Sequence, residues 1–194
     1  GLRIPDQQDF ARQIGQQADR LRDLIDRLLL LVKLEKRHGE FNRKSTDLIA
    51  VIKQVISQRQ TTLQRKKIQL DLKLPAQLPC RLETFWMGQA IGNVLDNAIE
   101  FCPAGGQIDI NLFYDHAEKP TRVFLNIVNQ GPHIPDYALT HIFERYYSLP
   151  RPDSGHKSTG LGLTLVREVM EQHHGWVSVQ NEQGGVSVLL SLAL

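Results

Sequence analysis

The stretch Gly-Asn-Val-Leu-Asp-Asn-Ala-Ile-Glu-Phe at residues 92–101 decides how the rest of the chain is interpreted. It ends a longer segment, Glu83 to Phe101, whose apolar residues recur at helical spacing and predict a helix. Asn93 and Asn97 are four residues apart and therefore share one face of that helix. Their carboxamide oxygens could bind a hard cation such as Mg²⁺, which prefers oxygen ligands. Taken alone, the two asparagines are better explained as surface or capping residues.

Two glycine-containing stretches follow this helix. Asn-Gln-Gly-Pro-His-Ile-Pro at 129–135 comes directly after a predicted strand, where a polar side chain and a glycine suit a small planar ligand. Gly-His-Lys-Ser-Thr-Gly-Leu-Gly-Leu at 155–163 precedes a predicted helix, whose first N–H groups attract anions, and Lys157 adds a positive charge. Alone, the first stretch could equally be a strand-ending turn, and the second is often only a hinge.

The remaining periodicity predicts an α+β fold. Helices are expected from Leu48 to Gln64 and from Leu163 to Gln172, with a short one near Tyr137 to Phe143. Alternating apolar residues predict strands at 68–74, 108–114, 123–127, 176–179 and 186–192. Runs of helix and antiparallel hairpin favour a sandwich with helices on one face of a mixed sheet.

A long helix is predicted ahead of this domain, from about residue 6 to residue 36. Its apolar positions follow a heptad stripe, made of Ile14, Ala18, Leu21, Ile25, Leu28 and Val32. Leu24 and Leu31 widen the stripe, as the core of a four-helix bundle requires. One helix cannot bury so wide a stripe, so we expect it to pack against another helix or a partner chain. Folding back onto the domain that follows is the alternative.

Composition excludes several classes of protein. The chain has 194 residues, with 23 Lys+Arg against 21 Asp+Glu and a net charge of +2. This balance excludes a protein that binds nucleic acid through a large positive net charge, and it excludes a disordered charged tail. No segment approaches the ~20 apolar residues that a membrane-spanning helix needs. The two cysteines, Cys80 and Cys102, form no C-x-x-C pair and indicate a reducing compartment.

Four stretches, taken in order, resemble the N, G1, F and G2 boxes of bacterial sensor histidine kinases. They are Asn93-x-x-x-Asn97-Ala, Asn129-x-Gly131-x-x-Ile134-Pro, Ile142-Phe-Glu-Arg-Tyr-Tyr147 and Thr159-Gly-Leu-Gly-Leu163. These kinases belong to the gyrase, chaperone, kinase and mismatch-repair ATPase superfamily. The resemblance implies a Bergerat-type ATP-binding domain over residues 41–194. Residues 1–40 resemble the second helix of the family's dimerisation domain.

The resemblance also implies roles for individual residues. Asn93 and Asn97 would hold Mg²⁺ against the triphosphate, Asn129 would accept the adenine amine, and Gly131 would let the backbone approach the base. Residues 146–158 would form a lid over the nucleotide, with Lys157 or Arg151 supplying positive charge. The complete set of ATP-binding residues that it implies is Asn93, Asn97, Asn129, Gly131, Ile134, Phe143, Arg145, Tyr146, Lys157, Thr159, Gly160, Leu161, Gly162 and Leu163.

Three positions depart from the family pattern. Asn129 stands where the family usually has aspartate, His133 replaces the second glycine of the G1 box, and Glu100 replaces a basic residue. Losing the charge on the adenine acceptor removes roughly 1 kcal/mol from that hydrogen bond. We therefore expect ATP to bind more weakly than in relatives that carry aspartate.

The phosphoacceptor of the family has no counterpart among the histidines. In the family it is followed by an acidic residue and soon by a proline, and none of the seven histidines has this context. His173 and His174, at a predicted helix end, are expected to cap that end at the surface. We expect the acceptor helix, the sensor domain and the membrane spans to precede Gly1. The fragment would then be cytoplasmic and its parent anchored in the bacterial inner membrane.

The resemblance implies a protein histidine kinase that uses ATP and Mg²⁺. It would transfer the γ-phosphoryl group to a histidine and then to an aspartate of a response regulator, and it would act as a homodimer through the helical bundle. This fragment should bind Mg·ATP without autophosphorylating.

The alternative is a nucleotide-responsive interaction module without transferase activity. An ATPase of the gyrase or chaperone branch is less expected, since those proteins lack the upstream heptad helix. Nucleic acid is not an expected partner, because the basic residues are scattered.

Overall fold

The computed structural model describes residues 4–36, 41–116, 118, 120–150 and 158–194. The chain divides into two compact units, Gly1–Arg37 and His38–Leu194. The first contains one helix, α1 (Ile4–Glu35), which agrees with the predicted helix to within two residues. Of the predicted stripe, Ile14, Leu21, Ile25, Leu28 and Val32 are exposed, whereas Leu31 is buried. Of the helices in the described part of the chain, none is long and apolar enough to cross a membrane.

The second unit is built on a mixed sheet of five strands. These are β2 (Gln69–Lys73), β4 (Gln107–Tyr114), β5 (Arg122–Gln130), β6 (Trp176–Glu182) and β7 (Gly185–Ala193), in the spatial order β2-β4-β5-β7-β6. Strand β2 pairs with β4 in parallel, and the other pairs are antiparallel. Two short strands, β1 (Lys44–Asp47) and β3 (Pro79–Leu82), pair separately as an antiparallel ribbon.

Helices cover one face of the five-stranded sheet. They are α2 (Leu48–Ser57), α3 (Gln60–Lys66), α4 (Thr84–Phe101), the single turn α5 (Asp136–Leu139) and α6 (Gly162–Gln172). Strand β5 alternates strictly, so that Leu125 and Ile127 are buried against α4, whose Met87 and Ile91 are also fully buried. Helix α4 packs in turn against α2 and α6. The predicted sandwich of a mixed sheet and helices is confirmed.

Helix α4, which carries Asn93 and Asn97, is fixed at both ends. At its start, the Glu83 carboxylate accepts a hydrogen bond from the Trp86 N–H at 3.1 Å. At its end, the Lys66 ammonium donates to the carbonyls of Ile99 at 3.0 Å and Glu100 at 3.2 Å. A positive charge there also complements the negative end of the helix dipole. The helix therefore presents its asparagine face from a well-defined position.

One predicted helix, Leu48 to Gln64, is wrong as a single element. The chain leaves α2 after Ser57 and starts α3 at Gln60. The break brings Arg59 against Asp96 of α4, with paired hydrogen bonds of 2.7 and 2.8 Å, and Arg59 also donates to the Val55 carbonyl at 3.1 Å. This bidentate contact depends on a distant residue, so helical periodicity could not reveal the break.

Two other expectations need correction. The short helix expected from Tyr137 to Phe143 ends at Leu139. It is followed by turns in which an N–H donates to the carbonyl three residues earlier. Strands β1 and β3 have no counterpart among the strands predicted from the sequence. Proline is tolerated at the first residue of a strand, which is where Pro79 lies.

His173 is a buried core residue, so the prediction of a surface cap is wrong. Its side chain is 4% exposed, and its Nδ1 donates to the Val169 carbonyl at 2.8 Å. Its Nε2 accepts a hydrogen bond from the Glu83 N–H at 3.0 Å, which joins the end of α6 to the start of α4. Burial lowers the pKa of His173, so the ring is neutral at pH 7.

Both cysteines are buried free thiols. Burial raises the pKa of the Cys80 thiol to about 11, with the Asp47 carboxylate contributing in the same direction. Burial also raises the pKa of the Cys102 thiol, so both thiols are protonated at neutral pH.

Candidate functional site

The asparagine pair on α4 is the first part of the site. Asn93 and Asn97 are both half-buried. The Asn93 amide nitrogen donates to the Gln89 carbonyl at 2.8 Å, and a carboxamide binds a cation through its oxygen. Among the described residues, no three His, Cys, Asp or Glu side chains form a group that could hold a metal ion. A cation here would take oxygens from a bound ligand and water, as Mg²⁺ commonly does.

The end of strand β5 supplies the second part. Asn129 lies on the helix-covered face of the sheet and is 5% exposed. Its amide nitrogen donates to the Gln130 carbonyl at 2.9 Å, so its oxygen is the side-chain atom that can accept from a ligand. A buried acceptor at a strand end is well suited to recognising one polar group of a flat ligand.

Gly131 joins the strand end to the end of α4. Its φ of +152° lies in the region that favours glycine, and a Cβ there would lie 2.5 Å from the Phe101 carbonyl oxygen. The same Cβ would lie 3.3 Å from the Asn129 amide nitrogen. The absent side chain thus lets the end of α4 pack directly against the backbone beside Asn129.

The loop after Gly131 is tied to the turn between β6 and β7. The Gly131 N–H donates to the Gly184 carbonyl at 3.1 Å, and the His133 Nε2 lies 2.8 Å from the Glu182 carbonyl oxygen. Ile134 is held by the Asn181 side chain, whose oxygen accepts from its N–H and whose nitrogen donates to its carbonyl, each at 2.8 Å. Asn181 is not among the site residues predicted from the sequence. The available signal was its register with Val177 and Val179 on the inner face of β6.

The F-box and G2-box residues meet at a backbone junction. The Tyr146 N–H donates to the Gly160 carbonyl at 3.0 Å, and a Cβ on Gly160 would lie 2.6 Å from the Tyr147 nitrogen. Gly160 has a φ of +67°, which a side chain would also disfavour. The Thr164 hydroxyl of α6 donates to the Phe143 carbonyl at 3.1 Å. The predicted residues Phe143, Tyr146 and Gly160 are therefore brought together.

Thr159 carries a buried hydroxyl to which a polar ligand could bind. Its hydroxyl oxygen is buried and has no hydrogen-bond partner within the described residues. Leaving such a group unsatisfied costs about 1–3 kcal/mol, which a polar ligand could recover. Leu161 beside it is buried, and Gly162 and Leu163 open α6, so the first N–H groups of that helix follow Thr159 directly.

The structure joins the predicted residues pairwise. The end of α4 meets Gly131, the F box meets the G2 box, and α4 packs against α6. Arg145 is exposed on the F-box turn. Lys157, Arg151 and most of the expected lid lie outside the described residues. The buried acceptor at 129 and the hydroxyl at 159, which has no hydrogen-bond partner among the described residues, fit the polar groups of a nucleotide.

Comparison with known proteins identifies the family of the chain. The sequence model of the histidine kinase-, DNA gyrase B- and HSP90-like ATPases matches residues 84–194, which is more than half of the chain. The chain belongs to this family. As a member of the histidine kinase-like ATPases, it contains an ATPase domain, which implies that it binds ATP.

Individual relatives of this histidine kinase-like ATPase are sensor kinases. The chain is 40% identical to the sensor protein CreC of Escherichia coli strain K12, an alignment covering 95% of this chain and 37% of CreC. The chain thus spans little more than a third of that relative. The solved mycobacterial sensor histidine kinase MprB is 26% identical, with a TM-score of 0.62 over 78% of this chain and 97% of MprB.

A third comparison concerns the fold alone. Histidine kinase ThkA, solved in complex with the response regulator protein TrrA, is 19% identical to this chain. The superposition has a TM-score of 0.74 and covers 100% of this chain and 53% of ThkA.

Proposed function

We propose that this chain is the ATP-binding catalytic part of a sensor histidine kinase. In the longer protein, the γ-phosphoryl group of ATP would pass to a histidine on a neighbouring helix and then to an aspartate of a response regulator. The observation that carries this proposal is the junction at Gly131. There a buried acceptor, Asn129, lies beside backbone that cannot carry a side chain, next to the end of the asparagine helix α4.

Within this proposal each element has one task. The Asn129 oxygen accepts from the adenine amine, and Gly131 gives the base access to the backbone. Asn93 and Asn97 hold Mg²⁺, which neutralises charge on the phosphates. The Thr159 hydroxyl and the N–H groups at the start of α6 bind polar groups of the nucleotide, with Lys157 or Arg151 adding positive charge. Phosphoryl transfer relies mainly on such positioning and charge stabilisation.

The partners follow from the same proposal. The exposed apolar side chains of α1 suit the second helix of a homodimeric bundle. The complex of ThkA with TrrA supports a response regulator as the second partner. The parent protein would be anchored in the bacterial inner membrane through segments outside this chain, with this part on the cytoplasmic side.

Calorimetric titration with ATP tests the proposal. We expect saturable binding in Mg²⁺ that weakens at least tenfold in excess chelator. Asn97→Ala should weaken Mg·ATP binding by roughly ten- to a hundredfold, since it removes one of two carboxamide ligands. Asn126→Ala is the matched control, because this half-buried asparagine lies on the opposite face of the sheet and accepts from the Ser187 hydroxyl. Absence of ATP binding by the folded wild-type chain would refute the proposal.

A second candidate function is a nucleotide-responsive interaction module without transferase activity. The replacement of charged family residues by Asn129 and Glu100 favours it. This candidate predicts nucleotide binding without transfer to any acceptor histidine.

A further inference from the structure

The loop that follows strand β5 is held from outside by the β6–β7 turn. The three ties, from Gly131 to Gly184, from His133 to Glu182 and from Ile134 to Asn181, run in order along the loop. Gly185, which begins β7, packs directly on the Asn129 backbone, where a Cβ would lie 2.9 Å from the carbonyl carbon. The β6–β7 turn is therefore packed against the loop from Gly131 to Pro135, which we call the base-binding loop.

The Asn181 tie differs from the others because one side chain fixes both polar groups of a residue. Its carboxamide accepts from the Ile134 N–H and donates to the Ile134 carbonyl, both at 2.8 Å. Such paired hydrogen bonds set the orientation of the backbone as well as its position. Both residues are half-buried, so water competes poorly for these groups.

Asn181 would act on a bound nucleotide through the loop that it holds. It binds Ile134, which lies three residues after Gly131 and five after Asn129. Without it, two backbone groups of Ile134 lose their partners, and the loop between Gly131 and Pro135 loses its tie furthest from the strand. The adenine end of the site would loosen, whereas α4 and the start of α6 have their own supports.

We infer that Asn181 is a positioning residue for the base-binding loop and that it sets the adenine affinity of the site. The inference rests on the proposed function. It requires a selective effect, in which binding of the base is weakened and binding of the phosphates is unchanged.

The test compares two ligands on the full chain, Mg·ATP and Mg·tripolyphosphate, each measured as a competitor of a fluorescent ATP analogue. Asn181→Ala should raise the dissociation constant of Mg·ATP about five- to tenfold, which corresponds to the loss of one to two hydrogen bonds. The constant for Mg·tripolyphosphate should stay within twofold. Hydrogen exchange of the Ile134 amide should accelerate in the same variant.

Two further variants sharpen the test. Asn181→Asp keeps the side-chain volume and the acceptor but turns a carboxylate oxygen toward the Ile134 carbonyl, so a loss at least as large as that of Asn181→Ala is expected. It also carries the test if Asn181→Ala does not fold. Asn126→Ala is the control for losing a half-buried asparagine elsewhere in the sheet. It should leave both dissociation constants unchanged.

The outcomes separate this inference from the proposed function. A folded wild-type chain that binds neither ligand overturns the proposed function itself. If the wild type binds Mg·ATP, unchanged binding in both Asn181 variants overturns the inference alone. Equal weakening of both ligands also overturns it, because a purely structural role would act on the whole site.

Discussion

Position 129 shows how one atom sets the strength of a binding site. Asn129 offers a neutral oxygen to a ligand, where an aspartate would offer a charged one. A charge-assisted hydrogen bond is stronger by about 1 kcal/mol, so Asn129→Asp should tighten ATP binding by about fivefold. Calorimetric titration with Mg·ATP measures the change directly.

The same substitution has a cost in the folded state. The Asn129 nitrogen donates to the Gln130 carbonyl, and an aspartate oxygen in that place would face another oxygen. We therefore expect the urea midpoint to fall while the affinity rises. ATP binding no tighter than that of the wild type would contradict the proposed contact with the adenine amine.

His173 makes stability depend on pH. Its pKa is lowered in the folded chain by burial, so the unfolded chain binds more protons as pH falls below the ordinary histidine value of about 6.5. The contribution of His173 to the free energy of unfolding is therefore fully present above that pH. Below that pH the free energy of unfolding declines, by at most about 1.4 kcal/mol per pH unit for one proton. Protonation would also end the acceptance of the Glu83 N–H.

Urea unfolding between pH 7.5 and pH 5 tests this linkage. His173→Gln, which does not titrate, should flatten the decline relative to the wild type. His174→Gln is the matched control, because the neighbouring histidine is exposed. A decline of the same slope in His173→Gln would assign the pH dependence to other groups.

At the scale of elements, the sequence predicted most helices and strands, because their apolar periodicity is local. Helix α4 and the β4–β5 and β6–β7 hairpins agree with prediction to within three residues at every end. The failures have distant causes. At the break between α2 and α3, Arg59 pairs with the distant Asp96, and β1 pairs with the distant β3.

Lys66 is an element-scale support that no local pattern revealed. It crosses from α3 to the carbonyls at the end of α4, where its charge meets the negative end of the helix dipole. Lys66→Met should lower the free energy of unfolding by about 1–2 kcal/mol, as lost charge-assisted hydrogen bonds and lost dipole complementarity predict.

Arg65→Met serves as the control, since Arg65 is an exposed cation in the same turn of α3. It should change the free energy of unfolding by less than about 0.5 kcal/mol. Equal losses in the two variants would mean that general charge, and not the capping contact, stabilises α4.

At the scale of the whole molecule, the sequence located the candidate site residues but not what holds them. The boxes are recognisable because glycine and asparagine at fixed spacing carry chemistry in the residues themselves. Their supports, Asn181 and Lys66, lie 47 residues after Ile134 and 33 before Ile99, and they act through backbone atoms. Contacts of this kind leave no periodic signal, so only the folded structure reveals them.

Phosphoryl transfer is the prediction that concerns the molecule as a whole. None of the seven histidines of the chain has the acceptor context of the family, so incubation with Mg²⁺ and γ-labelled ATP should leave the chain unlabelled. A longer protein that carries an acceptor helix ahead of α1 should become labelled on its histidine, with an alkali-stable, acid-labile bond. The γ-phosphorus would leave the bridging oxygen of ADP and bond to the imidazole nitrogen.

Asn97→Ala in the longer protein should lose most of the label, and Asn126→Ala should keep it. Stoichiometric labelling of the present chain would contradict the prediction. Nucleotide binding by the longer protein without any transfer would instead favour the interaction module.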